Sequence, residues 1–144
     1  MKVEQAVGLF HGRKKYNCAQ AVLKAYQPES GISEMAVQAA SMAGGGRAVG
    51  GTCGALHAAM ILLDDPTIVD RVKQEFSKTA GSTICREIRS FRRINCRECV
   101  ALSAALVSQY AKDLRPDDPD YISNLKEREQ VLLPMQAVSG NLRQ

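Results

Sequence analysis

The sequence contains no Trp and few other aromatic residues, with three Phe and four Tyr among 144 residues. A domain that stacks nucleic-acid bases needs such rings, and a protein that coats nucleic acid needs a larger net charge than +4. The longest apolar run, at residues 55–63, includes a His and is too short to cross a bilayer. The N-terminal segment lacks the apolar stretch of a secretory signal. We therefore expect a soluble, cytoplasmic protein whose partners include neither nucleic acid nor a membrane.

Strand-like alternation of apolar and polar residues is also absent, whereas helix-start signals recur along the chain. Asn17 with Gln20 and Asn95 with Glu98 have capping-box spacing, and Asp65 precedes a Pro at a first helical position. These signals and the apolar periodicity predict eight helices. Five span residues 3–10, 18–26, 53–63, 66–81 and 96–114. The other three run from residue 33 to the glycines at 44–46, over a short segment after residue 82, and from residue 118 to just before Pro134. We predict an all-α, compact multi-helix bundle with a glycine-rich loop at 44–54. Residues 1–134 form its single domain and residues 135–144 a C-terminal tail.

Cysteine, in contrast, is plentiful, with five residues at positions 18, 53, 85, 96 and 99. Because the cytosol keeps thiols reduced, we do not expect a framework of structural disulfides. Inert packing of small buried side chains is one interpretation. Reactive or ligating thiols are the other, and the predicted positions of the cysteines favour it.

Four of the five cysteines are predicted in the first turn of a helix. They occur as Asn17-Cys18, Thr52-Cys53 and Asn95-Cys96, each directly after a capping residue, and as Cys85 shortly after Ser82. Unpaired backbone N–H groups and the helix dipole at such positions favour a thiolate and lower the thiol pKa. Five arginines at 86, 89, 92, 93 and 97 surround three of the cysteines, and nearby cations favour thiolates further.

Cys96 and Cys99 form a CxxC pair that lies on one side of a helix, close enough for thiol exchange or chelation. No second CxxC is present, as a zinc ribbon would require, and no βαβ pattern typical of thioredoxin surrounds the pair.

Cys53 follows the glycine-rich stretch at 44–51, which fits neither a P-loop nor a dinucleotide-binding motif. The glycines favour either close helix packing and loop movement, or an open approach for a partner thiol, metal or ligand to the Cys53 sulfur. Arg47 is a candidate anion partner. His57 lies one turn after Cys53 and is a candidate base or ligand, although a packed His is the simpler alternative. We expect Cys53 to be the most exposed functional sulfur and Cys99 to matter less.

Several blocks of the sequence occur in the order found in a known family. They are Asn17-Cys18-Ala19-Gln20-Ala21-Val22-Leu23, the glycine stretch leading into Thr52-Cys53-Gly54-Ala55-Leu56, Cys85-Arg86-Glu87-Ile88, and Cys96 with Val100. Over residues 18–107 the chain thus resembles the redox-active C-GCAxxG-C-C proteins of bacteria and archaea. Two departures are Ala58, where the family has glycine, and the additional thiol Cys99.

The resemblance implies an all-helical domain with a redox or electron-transfer role. In it, Cys18, Cys53, Cys85 and Cys96 are the signature cysteines and thus the candidate catalytic residues. A similar domain occurs in some multihaem cytochromes. Covalent c-type haem is excluded here because Val100, and not His, follows Cys99.

Three functions follow from these patterns. The first is thiol–disulfide or electron-transfer chemistry with a small thiol or a redox partner protein. The alternative is a metal site, with the same four cysteines holding zinc or an iron–sulfur cluster. The third is a helical interaction domain with inert cysteines, and apolar helices poor in aromatic residues also suit a homodimer. The sequence leaves open whether the protein is an enzyme. A shared function requires that Cys18, Cys53, Cys85 and Cys96 lie near one another.

Overall fold

A computed structural model describes residues 2–111, and every regular element in this range is a helix. The α-helices are α1 (Lys2–Leu9), α2 (Cys18–Ala25), α3 (Gln27–Ser30), α4 (Glu34–Ala39), α5 (Gly54–Leu63), α6 (Pro66–Ala80), α7 (Cys85–Phe91) and α8 (Cys96–Ala111). Two 3₁₀ helices span Ala40–Ala43 and Val49–Gly51. The all-α prediction is confirmed. The helix predicted from residue 118 and the boundary predicted at 134 lie outside the described residues.

Capping residues start four of the helices at the predicted places, and one of them is Ser33, whose hydroxyl accepts the N–H of Ala36 at 3.1 Å. The Asn17 side chain accepts the N–H of Gln20 at 2.8 Å, and the Gln20 side chain accepts the N–H of Asn17 at 3.1 Å. Asn95 and Glu98 form the same reciprocal pair at 2.8 and 2.9 Å. Asp65 accepts two N–H groups at the start of α6, where Pro66 takes the first helical position. Side-chain oxygens thus satisfy N–H groups that have no partner within the helix.

Two predicted caps are wrong. Thr52 does not cap α5, because Cys53 itself is the N-cap and the helix begins at Gly54. Ser82 does not cap α7, which begins at Cys85 after Ile84. The Ser82 hydroxyl instead accepts the Ile84 N–H at 3.0 Å and donates to the Glu87 carboxylate at 2.6 Å.

Helix α5 lies at the centre of the bundle and packs against α2, α6 and α8, while α8 also packs against α1 and α2. Its apolar run explains this position, since a helix that is apolar all round is stable only when it is buried on most sides. Leu56 and Leu63 of α5 are buried with Leu23 of α2, Val100 of α8 and Phe76 of α6. Among the helices of residues 2–111, none combines the length and hydropathy that crossing a bilayer requires.

The glycine-rich segment before α5 contains turns as well as the 3₁₀ helix Val49–Gly51, and Gly45 and Gly46 have φ of 65° and 85°. After it, Thr52 forms an isolated antiparallel bridge with Ile84. The Cys53 N–H donates to the Thr83 carbonyl at 2.9 Å. This short backbone pairing connects the residue that caps α5 to the segment that leads into α7.

Candidate functional site

All five cysteines line one cavity of about 360 Å³. The other lining residues come mainly from α7, from the turn after it and from the start of α8: Gly45, Gly54, Ile88, Arg89, Arg92, Arg93, Ile94, Asn95, Glu98. All five thiols are free. The structure therefore brings together Cys18, Cys53, Cys85 and Cys96, which are far apart in the sequence, and adds Cys99 to them.

Four helix starts converge on this cavity. Cys18 begins α2, Cys85 begins α7 and Cys96 begins α8, whereas Cys53 caps α5. Cys99 lies one turn into α8, where its N–H is bonded to the Asn95 carbonyl at 2.9 Å. The backbone pairing before α5 and α7 brings Cys53 towards Cys85, and the packing of α5 on α8 brings it towards Cys99.

Gly54 allows Cys18 to approach the start of α5. A Cβ atom added at Gly54 would lie 2.5 Å from the Cys18 sulfur and 2.7 Å from the Ala43 carbonyl oxygen. Either distance is below van der Waals contact, so a side chain here would displace α2 or the 3₁₀ helix Ala40–Ala43. The glycine thus has the close-packing role that was one of the two interpretations of this stretch.

Cys53 and Cys99 form a directly interacting pair. The Cys99 thiol donates a hydrogen bond to the Cys53 sulfur, and this contact contributes most to lowering the pKa of Cys53 to about 7. Burial opposes the shift, while the backbone N–H groups of Leu56 and Ala55 and the charge of Arg89 support it. The pKa of Cys99 is strongly raised, because its proton is held by Cys53 and because the side chain is buried.

A helix start alone does not make a thiol acidic in this protein. Burial raises the pKa of Cys18, and repulsion by the Cys53 sulfur adds to that effect. Burial also raises the pKa of Cys85, although the charge of Arg89 partly compensates. The prediction that helix starts lower the thiol pKa is thus wrong for Cys18 and Cys85, while the pKa of Cys53 is lowered.

Arg89, and not Arg47, supplies the positive charge beside the thiols. Its guanidinium is hydrogen-bonded to Cys96, and its own pKa is raised mainly by the neighbouring Cys85 and by that bond. Arg47 instead donates to the carbonyls of Gly44 at 2.9 Å and Ser41 at 3.1 Å. These hydrogen bonds stabilise the glycine-rich segment, and Arg47 does not line the cavity.

One further expectation, about the exposure of Cys53, is wrong. Cys53 is not the most exposed sulfur: its residue is 4% exposed, whereas Cys18 and Cys96 are partly exposed. Cys99, which we expect to matter less, lies in the same cavity and is hydrogen-bonded to Cys53. Cys53 is buried at the start of α5, and Cys99 of the packed helix α8 is hydrogen-bonded to its sulfur there. His57 does not line the cavity, and burial lowers its pKa, as the packed-His alternative requires.

The positions of potential metal ligands within residues 2–111 do not favour a metal centre. No group of three or more His, Cys, Asp or Glu side chains in that range is arranged to hold a metal ion. The five thiols share a cavity without forming a ligand shell of that kind.

The chain matches one family model over residues 16–110, the segment that contains all five cysteines. The family is described as "Putative redox-active protein (C_GCAxxG_C_C)". No curated protein and no solved structure matches the chain.

Proposed function

The chain belongs to the C_GCAxxG_C_C family, and from this premise we propose that it is a thiol–disulfide redox protein in which Cys53 is the nucleophile and Cys99 the resolving thiol. The observation that carries the proposal is the contact between the Cys53 sulfur and the Cys99 thiol at a cavity wall. We place the activity in the cytoplasm, where thiols are kept reduced. A small thiol or a redox partner protein regenerates the dithiol.

The reaction proceeds in two exchanges. The Cys53 thiolate attacks one sulfur of a substrate disulfide, so that a Cys53–substrate bond forms and the second substrate sulfur leaves as a thiolate. The Cys99 sulfur then attacks the Cys53 sulfur, forms the Cys53–Cys99 disulfide and releases the remaining substrate thiolate, while the Cys99 proton passes to the leaving group or to water. Two protein thiols are oxidised and one substrate disulfide is reduced to two thiols.

Cys18, Cys85 and Cys96 belong to the same proposed site because they line the same cavity. Cys96 is partly exposed, and its sulfur is hydrogen-bonded to the Arg89 guanidinium. Cys96 is also the alternative partner of Cys99 in the CxxC pair, so an experiment must distinguish the Cys53–Cys99 disulfide from a Cys96–Cys99 disulfide.

The test is to map the disulfide that forms when reduced protein, purified without oxygen, is equilibrated with a mixture of bis(2-hydroxyethyl) disulfide and its thiol. We expect a Cys53–Cys99 bond by mass spectrometry in the wild type and in Cys96→Ser. Cys99→Ser should accumulate a mixed disulfide on Cys53, whereas Cys53→Ser should form neither product. Circular dichroism checks that each variant is folded. A Cys96–Cys99 bond as the main product, or oxidation of Cys53→Ser at the wild-type rate, would contradict the proposal.

A further inference from the structure

The wall of the thiol cavity is basic. Arg89, Arg92 and Arg93 all line it, and Glu98 is the one acidic side chain among the lining residues. The Glu98 carboxylate is already engaged by the Asn95 N–H at 2.9 Å. The apolar part of the wall includes Ile88 and Ile94. An entering molecule therefore meets sulfur, aliphatic carbon and an excess of positive charge.

The three arginines differ in what they contact. Arg89 is hydrogen-bonded to Cys96 and acts on Cys85 and Cys53 through its charge. Arg92 and Arg93 are exposed. The Arg93 guanidinium donates to the Lys78 carbonyl at 3.3 Å, and the ion pairs seen within residues 2–111 involve neither of these two arginines. Two guanidinium groups thus line the cavity, and neither forms an ion pair with a carboxylate of residues 2–111.

Resting on the proposed function, we infer that this site takes a small disulfide that carries anionic groups, which Arg92 and Arg93 hold while its sulfur atoms face Cys53. A guanidinium offers a planar pair of N–H donors that matches a carboxylate or phosphate. A cavity of about 360 Å³ is within the range of small-molecule sites. A disulfide that is part of a folded protein would have to enter on a protruding loop, so the small molecule is the substrate that the cavity favours.

Different residues of this site carry out the reaction and recognise the charge of the substrate. Arg89 affects the pKa values of the thiols, so its removal would change both the thiol chemistry and the binding of an anion. Arg92 and Arg93 are not hydrogen-bonded to a sulfur within the described residues, so their removal is expected to change the capture of an anion and to leave the thiol chemistry intact. Arg86 and Arg97 are matched controls, because they are exposed arginines of the same region that do not line the cavity.

The test compares second-order rate constants for oxidation of the Cys53–Cys99 pair by oxidised glutathione, bis(2-hydroxyethyl) disulfide and cystamine, which are anionic, neutral and cationic. In Arg92→Gln/Arg93→Gln we expect the rate with oxidised glutathione to fall about tenfold, since each exposed charge contact contributes up to roughly a fivefold effect. The rate with the neutral disulfide should stay within about twofold, and that with cystamine should rise. Added salt should slow only the anionic reaction of the wild type.

The control variant Arg86→Gln/Arg97→Gln should keep the wild-type rates with all three disulfides, and circular dichroism checks both double variants. An equal fall with all three reagents, no fall with oxidised glutathione, or an equal fall in the control variant would overturn the inference. A much faster reaction with an acidic protein disulfide than with oxidised glutathione would also overturn it. If the neutral disulfide fails to oxidise the wild-type pair, the proposed function itself is wrong, and the two failures are thereby distinguished.

Discussion

Cys53 occupies a position that Ser, Thr, Asp or Asn usually fills. An N-cap side chain accepts hydrogen bonds from the first free N–H groups of its helix, and a thiolate is an acceptor of the same kind. The Cys53 side chain makes no capping hydrogen bond, but the Cys99 thiol and the nearby backbone N–H groups of Leu56 and Ala55 lower its pKa. The Cys99 hydrogen bond, these N–H groups and the charge of Arg89 together outweigh the burial that would otherwise keep Cys53 protonated.

We predict that alkylation of Cys53 by iodoacetamide increases with pH around a midpoint near 7, because only the thiolate reacts and deprotonation proceeds as pH rises through the pKa. Cys99→Ala removes the largest favourable contribution and should move the midpoint to higher pH. The rates are measured by mass spectrometry of the peptide that contains Cys53, with the peptide of Cys18 as an internal comparison, since burial raises the Cys18 pKa. A midpoint at the ordinary thiol value, or one that Cys99→Ala leaves unchanged, would contradict the assignment.

At the scale of helices, the cysteines at the helix starts of α2 and α7 show how little a helix dipole achieves alone. The dipole contributes about 0.3–1 kcal/mol, which is less than one pKa unit. Burial of Cys18 and Cys85 outweighs it and raises both pKa values. The converging starts of α2, α5, α7 and α8 therefore bring the sulfur atoms together. The hydrogen-bond donors and charges around each sulfur determine its acidity.

The contact between α2 and α5 leads to a prediction for Gly54→Ala. Because the new methyl group would overlap the Cys18 sulfur and the Ala43 carbonyl, we expect a loss of about 1–3 kcal/mol in the free energy of unfolding. Urea denaturation followed by circular dichroism measures it. Gly8→Ala is the matched control: it lies in α1 with no atom within 4 Å of the added carbon, and should raise stability by about 0.5–1 kcal/mol.

Cys18→Ala removes one of the two overlaps. In the Cys18→Ala background, we therefore expect Gly54→Ala to lower the free energy of unfolding by less than it does in the wild type. If Gly54→Ala is as stable as the wild type, α2 and α5 do not pack as closely as the structure shows.

At the scale of the whole molecule, the features that the sequence predicts are those that depend on residues close together in the chain. Asn17, Asp65 and Asn95 mark three helix starts because a cap and its N–H partners lie within a few residues. The apolar run at 55–63 predicts a buried helix for a similarly local reason. The shared helix-start setting of the signature cysteines predicts that they lie near one another.

The pairing inside the cluster could not be predicted in that way. Cys99 meets Cys53 only because α8 packs on α5, and a contact between distant helices has no local signature. The CxxC spacing instead predicts a pair between Cys99 and Cys96. Proximity in the sequence likewise favours Arg47 as the cation near Cys53, although Arg47 donates to backbone carbonyls of its own segment.

The Cys53–Cys99 pair also connects the proposed chemistry to the stability of the whole bundle. A disulfide between α5 and α8 closes the chain from residue 53 to residue 99 and restricts the unfolded state. For a loop of this length, we predict that oxidation raises the free energy of unfolding by about 4 kcal/mol when the bond forms without strain. Urea denaturation of the oxidised and the reduced protein, each under a controlled redox buffer, measures the difference. Cys96→Ser should retain the difference, and Cys53→Ala/Cys99→Ala should abolish it. If oxidation stabilises the wild type but Cys96→Ser abolishes the effect, the stabilising bond involves Cys96 and the assignment of Cys99 as the partner of Cys53 is wrong.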